Sequence, residues 1–540
     1  MDKISYFIPE GVEDINSTQY GEIEKMQGII GDVFKSLRYK QIQTPTFEYY
    51  DLFAGIDMSI DKDQMYKIID TNGKILVLRP DATIPIARMV ATNYEALDEP
   101  QKYMYFSNVF RSSDFRAGGK REFIQAGIEY FGDASSFADA EVICTAIQAL
   151  IACGFNQLKV ELGDANFFNG LMEYLDDKIE KEIKNDIRIL VESKNSPGLA
   201  SLLKTLAIEE KCKDVLLKLP FLFGPIDQMT GLAESMSLNE TMRESVDDVR
   251  HVYRQIEEKG LGQYIYADMG LVNHLDYYSG MIFKIYLQNT GLIVGSGGRY
   301  DGLMRKFGKT IPATGFGLNM DVLFEALQSE RKRDQILKIA LGKGRLAEIT
   351  LEKLKTIGIH FPDYDKNSRR LIFDDADGKI RIVFVKAGDV DIYVEKGACD
   401  LGVAGKDTLM ESNSDVYEML DLGYGKCRFA IAAMVGFEKI AHKKIRVATK
   451  YPNVAKNYYE KKGLPIEIIK INGSVELAPI MGLSDVIVDI VETGTTLKEN
   501  GLEIIETIED VSARLIVNRV SLKIKQEAVT TIINALRRQD

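Results

Sequence analysis

The sequence predicts two folds in series: an α+β domain on an antiparallel sheet, then an α/β domain with two sets of strands. Three observations lead there. Up to about residue 328, strand-like runs joined by turns are interrupted by inserted helical stretches, as in helices grouped on an antiparallel sheet. From residue 337 onward, strands and helices alternate. Within that second part, Asp485-Val-Ile-Val-Asp-Ile-Val491 is an apolar run of the buried parallel kind. It breaks at Thr493-Gly494-Thr495-Thr496, and a helical pattern opens at Leu497.

The elements follow in order. Residues 20–37 have an amphipathic helical period, and 41–45 are extended. Residues 65–78 read as a hairpin, turning at Asp70-Thr-Asn-Gly73. Arg79-Pro-Asp-Ala-Thr83 precedes a helix, and 102–110 is a strand ending at Arg111. A polar loop over 112–121 leads to a strand at 122–130. Residues 164–259 are mainly helical. Strands return from Ile265, around 275–280 and 295–302, and Thr314-Gly-Phe-Gly-Leu318 leads into a last helix. In the second part, strands are expected at 337–341, 380–385, 401–404, 444–449, 466–471 and 486–491, with helices to Ile357 and over 390–396. Residues 515–520 would run back toward the first strand set.

A chain of 540 residues calls for several domains rather than one core. Its hydrophobic fraction of 45% is ordinary for a soluble protein, and no apolar run is long enough to span a membrane. The start, MDKISYFIPEGVEDI, has no secretory h-region. Five scattered cysteines suit free thiols in a reducing cytoplasm, and four scattered histidines have no metal spacing. The net charge of -12 argues against nonspecific nucleic-acid binding.

The turn after Val491 carries the most chemistry. Gly494 lets the backbone approach a ligand, freed N–H groups converge on a helix start, and three threonine hydroxyls add donors. An ordinary strand–turn–helix corner is the commoner meaning of a lone Gly-Thr turn. Asp489 and Glu492 would repel a bare phosphate, but they suit one that carries sugar hydroxyls or a bound cation. Together with the threonines they favour a sugar phosphate.

This turn resembles the phosphoribosyl-pyrophosphate (PRPP) loop of phosphoribosyltransferases. Leu341-Gly-Lys-Gly-Arg-Leu346, Ser368-Arg-Arg-Leu-Ile-Phe373, Gly402-Val-Ala-Gly-Lys-Asp407 and Asn472-Gly-Ser-Val-Glu-Leu-Ala-Pro479 narrow the match. Residues 336–538 resemble the short-form ATP phosphoribosyltransferase, which opens histidine biosynthesis. The resemblance implies two periplasmic-binding-protein-like lobes with the site between them. It also implies a reaction joining N1 of ATP's adenine to C1 of the PRPP ribose, with loss of pyrophosphate. Asp489 and Glu492 would take the ribose hydroxyls, and Thr493, Gly494, Thr495 and Thr496 the 5′-phosphate. Lys343 and Arg345 would take pyrophosphate charge. Arg369 matches an active-site arginine, and Lys386 stands where many relatives have arginine. Mg2+ would arrive bound to substrate, with no protein-only metal site.

Residues 5–328 resemble the class II synthetase core, histidyl-tRNA synthetase in particular. Arg111 stands at the motif-2 arginine. Asp81, Gln125, Glu129, Tyr277 and Tyr278 match a histidine pocket. Two departures matter. Asn273-His274 and Asp321-Val322 stand where the synthetase has arginines, and without two fixed cations adenylation should fail. The anticodon-binding domain is replaced by the second unit. This is the pattern of the regulatory subunit that accompanies the short-form transferase. The expectation is a fusion: 1–329 regulatory, 330–335 linker, 336–540 catalytic. L-histidine would be its allosteric inhibitor, and a homo-oligomer, a tetramer or other even assembly, its state. No nucleic acid or membrane partner is expected. Residues 330–335 read equally as the solvated end of the preceding helix. The rival reading is a synthetase-like tRNA- or amino-acid-binding protein fused to a two-lobed solute-binding module.

Overall fold

The computed structural model describes residues 8–55, 62–112, 120–175, 178–272, 278–288, 290–328, 336–366, 368–437 and 444–537. The chain divides into two compact units, Met1–Arg333 and Asp334–Asp540. The expected linker at 330–335 lies outside the described residues.

The first unit opens with the helix Ser17–Ser36. Asn16 accepts from the N–H groups of Thr18 and Gln19, and the Gln19 side chain accepts from Asn16 N–H, a reciprocal cap. Its apolar stripe, Ile23, Met26, Ile30 and Phe34, is buried; Phe34 reaches Phe106 and Phe316. The nine-stranded sheet runs in the order Lys40–Gln41, Gln101–Phe110, Glu122–Phe131, Ala313–Asn319, Ile293–Arg299, Met281–Leu287, Leu158–Asp164, Ile265–Asp268, Phe223–Gly224. Its pairings are antiparallel except the first and that between Leu158–Asp164 and Ile265–Asp268.

Alternation along the central strands separates two cores. Met104, Ala126, Ile128 and Phe316 belong to one, while Tyr103, Tyr105, Phe131 and Ala313 belong to the other. Among the described residues six α-helices lie within 165–258, interrupted by the short strand Phe223–Gly224, so the stretch is mainly helical as the pattern predicts. The strand expected around 275–280 begins instead at Met281, and residues 273–277 lie outside the described residues. Ser279 and Gly280 carry little β-propensity, whereas the apolar run MIFKIYL that follows carries much.

The second unit holds two mixed sheets. The six-stranded sheet orders Ile372–Asp374, Ile380–Val385, Leu337–Gly342, Leu401–Gly405, Ala513–Val517, Tyr417–Asp421. The five-stranded sheet orders Ile466–Lys470, Ile445–Thr449, Val486–Val491, Cys427–Met434, Leu502–Val511. The chain crosses between them twice, once after Asp421 and once at Ser512, the single residue between Val511 and Ala513. The expected return strand is Ala513–Val517, which pairs antiparallel to Leu401–Gly405; a helix starts at Arg519. The helical pattern after the threonines is one short turn, Thr495–Glu499, because the ten-residue strand Leu502–Val511 follows directly. Among the described residues no helix is long and apolar enough to cross a membrane.

Candidate functional sites

In the second unit, strand register gathers the basic residues. Leu337–Gly342 and Ile380–Val385 are parallel with Gly342 opposite Val385, so Lys343 and Lys386 leave the sheet side by side. The loops approach closely: a Cβ on Gly342 would sit 2.7 Å from Ala387 Cα. Ile372 pairs antiparallel with Val383, and Phe384 N–H donates to Leu371 O at 2.7 Å. Continuing that register brings Arg369 level with Lys386. Arg345 begins the helix Arg345–Thr356, and its Nη2 donates to Glu492 Oε1 at 3.0 Å. That bond joins the mouths of the two sheets. Both side chains are more than half exposed, so the pair is worth about 0–1 kcal/mol and a ligand can displace it.

On the other side, Val486–Val491 gives way to the expected turn. Gly494 has φ +77, the left-handed region. Thr493 Oγ1 and Thr495 Oγ1 are 3.0 Å apart, and Thr495 N–H donates to Thr493 Oγ1 at 3.4 Å. Asp489 is half-buried and accepts from Ile490 N–H at 2.8 Å. Burial raises its carboxyl above the usual range. The Ile490 N–H and Lys450 oppose the rise, and Glu476 and Asp407 add to it.

Further residues, not singled out from sequence, tie the two sheets together. Tyr451 OH donates to Asp407 Oδ2 at 3.1 Å. Glu411 accepts from the N–H groups of Asn453 (2.9 Å) and Val454 (3.2 Å), the first turn of the helix Pro452–Lys461. Asp407 closes a motif already visible in the sequence; Glu411 and Asn453 gave no signal, since their bonds span 42 residues.

The first unit holds a separate cluster of candidate side chains. Register puts Tyr103 opposite Glu129, Tyr105 opposite Gly127 and Ser107 opposite Gln125, with Gly315 and Gly317 on the next strand opposite Glu129 and Gly127. The glycines make room: a Cβ on Gly315 would collide with the Glu129 carboxylate, and one on Gly317 with the Gln125 amide. Glu129 is fully buried. Thr83 Oγ1 donates to its Oε1 at 2.7 Å, and Tyr300 OH donates to its Oε2. Asp81 accepts from Thr83 N–H (2.7 Å) and Ile84 N–H (3.3 Å), and Ala82 N–H donates to Gln125 Oε1 at 3.3 Å. Arg111 Nε donates to Pro80 O at 2.8 Å, and its guanidinium lies 5.4 Å from the centre of the Phe123 ring. The Tyr278 hydroxyl is pushed up by burial, then by Asp81 and Glu129.

Asp81, Gln125, Glu129 and Tyr278 thus gather in one cluster, with Arg111 bonded to Pro80 beside it and Thr83 and Tyr300 added. Both additions lie inside motifs the sequence displayed. Tyr277 and the Asn273-His274 pair lie outside the described residues. The Asp321-Val322 departure is described. Val322 is buried, and Asp321 accepts from Lys120 Nζ and from Ile124 N–H, each at 2.9 Å. Glu13 (2.6 Å) and Glu325 (3.5 Å) also face Lys120. Three carboxylates on one lysine leave no positive field there for a triphosphate.

Burial pushes the Glu129 carboxyl up to about 8; the Tyr300 and Thr83 hydroxyls lower it, and Asp81 raises it. The native carboxyl therefore keeps its proton well above the pH at which the unfolded chain loses it, near 4.5. Between those values the native state binds more protons, so stability falls as pH rises. Asp164, raised to about 7 by burial, acts in the same sense but is common to wild type and variant. Glu129→Gln is expected to flatten the decline of the thermal midpoint between about pH 5 and about pH 8. Midpoints measured across that range test it; parallel curves for the two proteins would refute it.

Comparisons with known proteins find two families along the chain. The histidyl-tRNA synthetase family model matches residues 11–323, and the ATP phosphoribosyltransferase model matches 386–538. The ATP phosphoribosyltransferase regulatory subunit of Alkaliphilus metalliredigens (strain QYMF) is 35% identical over 359 residues, 65% of this chain and 90% of that protein. The ATP phosphoribosyltransferase of Oceanobacillus iheyensis is 52% identical over 202 residues, 37% of this chain and 97% of that protein. A crystal structure described as an ATP phosphoribosyltransferase regulatory subunit/histidyl-tRNA synthetase from Bacillus halodurans C superposes with a TM-score of 0.56 at 30% identity, covering 71% of this chain and 94% of that one.

Proposed function

This chain belongs to the ATP phosphoribosyltransferase family, joining a first part of the regulatory-subunit kind to a second part of the catalytic kind, and from that premise we propose how its two sites divide the work. The first unit has a class II synthetase-like fold. The enzyme is a pentosyltransferase of histidine biosynthesis. In our reading residues 1–329 regulate, 330–335 link, and 336–540 catalyse, the last as two periplasmic-binding-protein-like lobes, one per sheet.

ATP and PRPP meet between these lobes. N1 of the adenine attacks C1 of the ribose, and pyrophosphate leaves. Bond breaking runs ahead of bond making, so the work lies in positioning two substrates and stabilising a departing polyanion. Lys343, Arg345, Arg369 and Lys386 take the pyrophosphate charge. Glu492 and Asp489 hold the ribose hydroxyls, and residues 493–496 hold the 5′-phosphate. Mg2+ would come bound to the substrate. The half-buried Asp489 and exposed Glu492 would hold it beside the substrate's oxygens, where it would offset the charge of the leaving pyrophosphate. The observation that carries this reading is the Arg345–Glu492 bond, which brings an arginine from one sheet to the sugar-phosphate turn of the other.

The first unit senses L-histidine: Asp81 and Glu129 suit the ligand's ammonium, and Gln125, Tyr277 and Tyr278 its polar edges. A homo-oligomer of even order follows from the same family reading. The test is incubation with ATP, PRPP and Mg2+. An N1-ribosylated adenine nucleotide and pyrophosphate are expected, with no histidine-dependent exchange of pyrophosphate into ATP. Exchange abolished by Arg111→Ala would instead favour a working synthetase.

A further inference from the structure

One arginine beside the sugar-phosphate turn has no part in the scheme above. Cys427–Met434 runs antiparallel to Val486–Val491, with Arg428 opposite Val491, the last strand residue before the turn. Along this strand Phe429 and Ile431 enter the core that holds Val488 and Tyr451. Ala430 and Ala432 enter the other, with Ile487, Val491 and Leu497. Alternation therefore puts Arg428 on the second face, with Asp489 and Val491 as its neighbours. The turn folds over that same face. A Cβ on Gly494 would lie 3.6 Å from Val491 Cγ1 and 3.9 Å from Ile504 Cδ1.

Arg428 is half-buried, and its Nε is fully buried without a hydrogen-bond partner. Asp510 stands opposite it on Leu502–Val511, yet among the described residues no carboxylate pairs with it. A guanidinium nitrogen buried without a hydrogen-bond partner is unfavourable, and such a group calls for a reason. The turn beside it supplies one. It offers hydroxyls and N–H groups but no cation, and the four basic residues assigned to the reaction all rise from the other sheet. A phosphomonoester held there would meet donors on one side and would complete the charge of Arg428 on the other.

We propose that Arg428 is a further substrate-binding residue, which holds the phosphomonoester of the sugar phosphate against the 493–496 turn. The proposal rests on the reading of that turn as the 5′-phosphate site, and the experiment separates the two. Wild type, Arg428→Met, Arg428→Lys and Thr495→Ala are compared for PRPP and ATP KM, for inhibition by ribose 5-phosphate and by inorganic pyrophosphate, and for thermal midpoint. Arg428→Met is expected to raise the PRPP KM and the ribose 5-phosphate inhibition constant by about ten- to a hundredfold. Pyrophosphate inhibition and the ATP KM should stay near wild type, and Arg428→Lys should recover part of the loss. The thermal midpoint of Arg428→Met should not fall, because the buried Nε without a partner has been removed. If Thr495→Ala weakens ribose 5-phosphate and Arg428→Met does not, the role of Arg428 is wrong and the turn stands. If neither variant weakens it, the turn assignment fails as well. A lower midpoint with both inhibitors weakened alike, or failure of both Arg428 variants to fold, would make Arg428 structural.

Discussion

Gly494→Val is expected to lower kcat/KM for PRPP by about a hundredfold or more, and Thr495→Ala by about tenfold. The reason for the difference is conformational. Gly494 sits at φ +77, where a β-branched residue is strained by about 1–3 kcal/mol. Collision is not the cause, since the nearest atom to an added Cβ is Val491 Cγ1 at an ordinary 3.6 Å. The strain relaxes by moving the turn. That displaces the N–H groups at the start of Thr495–Glu499 and breaks the Thr493–Thr495 hydroxyl contact together. Thr495→Ala removes one donor and leaves the backbone in place. Gly494→Ala, with the same φ problem but no branching, should fall between them. Initial rates with PRPP varied at saturating ATP give the ranking. Near-normal kinetics for Gly494→Val would falsify the phosphate assignment.

What the sequence could display depended on how local each interaction was. The turn is local: an apolar strand, a glycine and threonines within a few residues, and the structure has the strand ending at Val491 and a positive φ at Gly494. The strands at 101–110, 122–131, 380–385 and 486–491 were legible for the same reason, being apolar runs bounded by polar turns. Leu502–Val511 was not. It is an edge strand with Glu503, Glu506, Glu509 and Asp510 along it, and those charges hide the β-period while guarding the edge. Side-chain partners were least legible. Arg345 and Glu492 are 147 residues apart, and Tyr300 reaches Glu129 across 171. Motifs named Arg345, Glu492 and Glu129, but not Tyr300; only the folded chain brings them together. Arg428 carried no signal at all, because an arginine flanked by Cys427 and Phe429 looks like any strand residue until its buried Nε without a partner is seen.

The second large effect concerns the first unit. Glu129→Ala is expected to leave uninhibited turnover intact and to raise the histidine concentration needed for half-inhibition by about a hundredfold. Glu129 is fully buried, with Thr83 and Tyr300 on its two oxygens and Asp81 as a second carboxylate whose charge it feels. Burial makes its ionised form costly and pushes the carboxyl up to about 8. A ligand ammonium reverses that cost, so much of the binding free energy is tied to this one group. Alanine removes it and leaves the Thr83 and Tyr300 hydroxyls unmatched, which adds to the loss. Inhibition requires histidine to bind a less active arrangement more tightly than the active one. By linkage, a substrate that prefers the active arrangement must then weaken histidine binding by the same factor, which calorimetry with and without PRPP can measure. If the first unit only scaffolds the transferase, wild-type turnover will ignore millimolar-scale histidine, or Glu129→Ala will leave inhibition unchanged. Either outcome removes the sensor from this cluster.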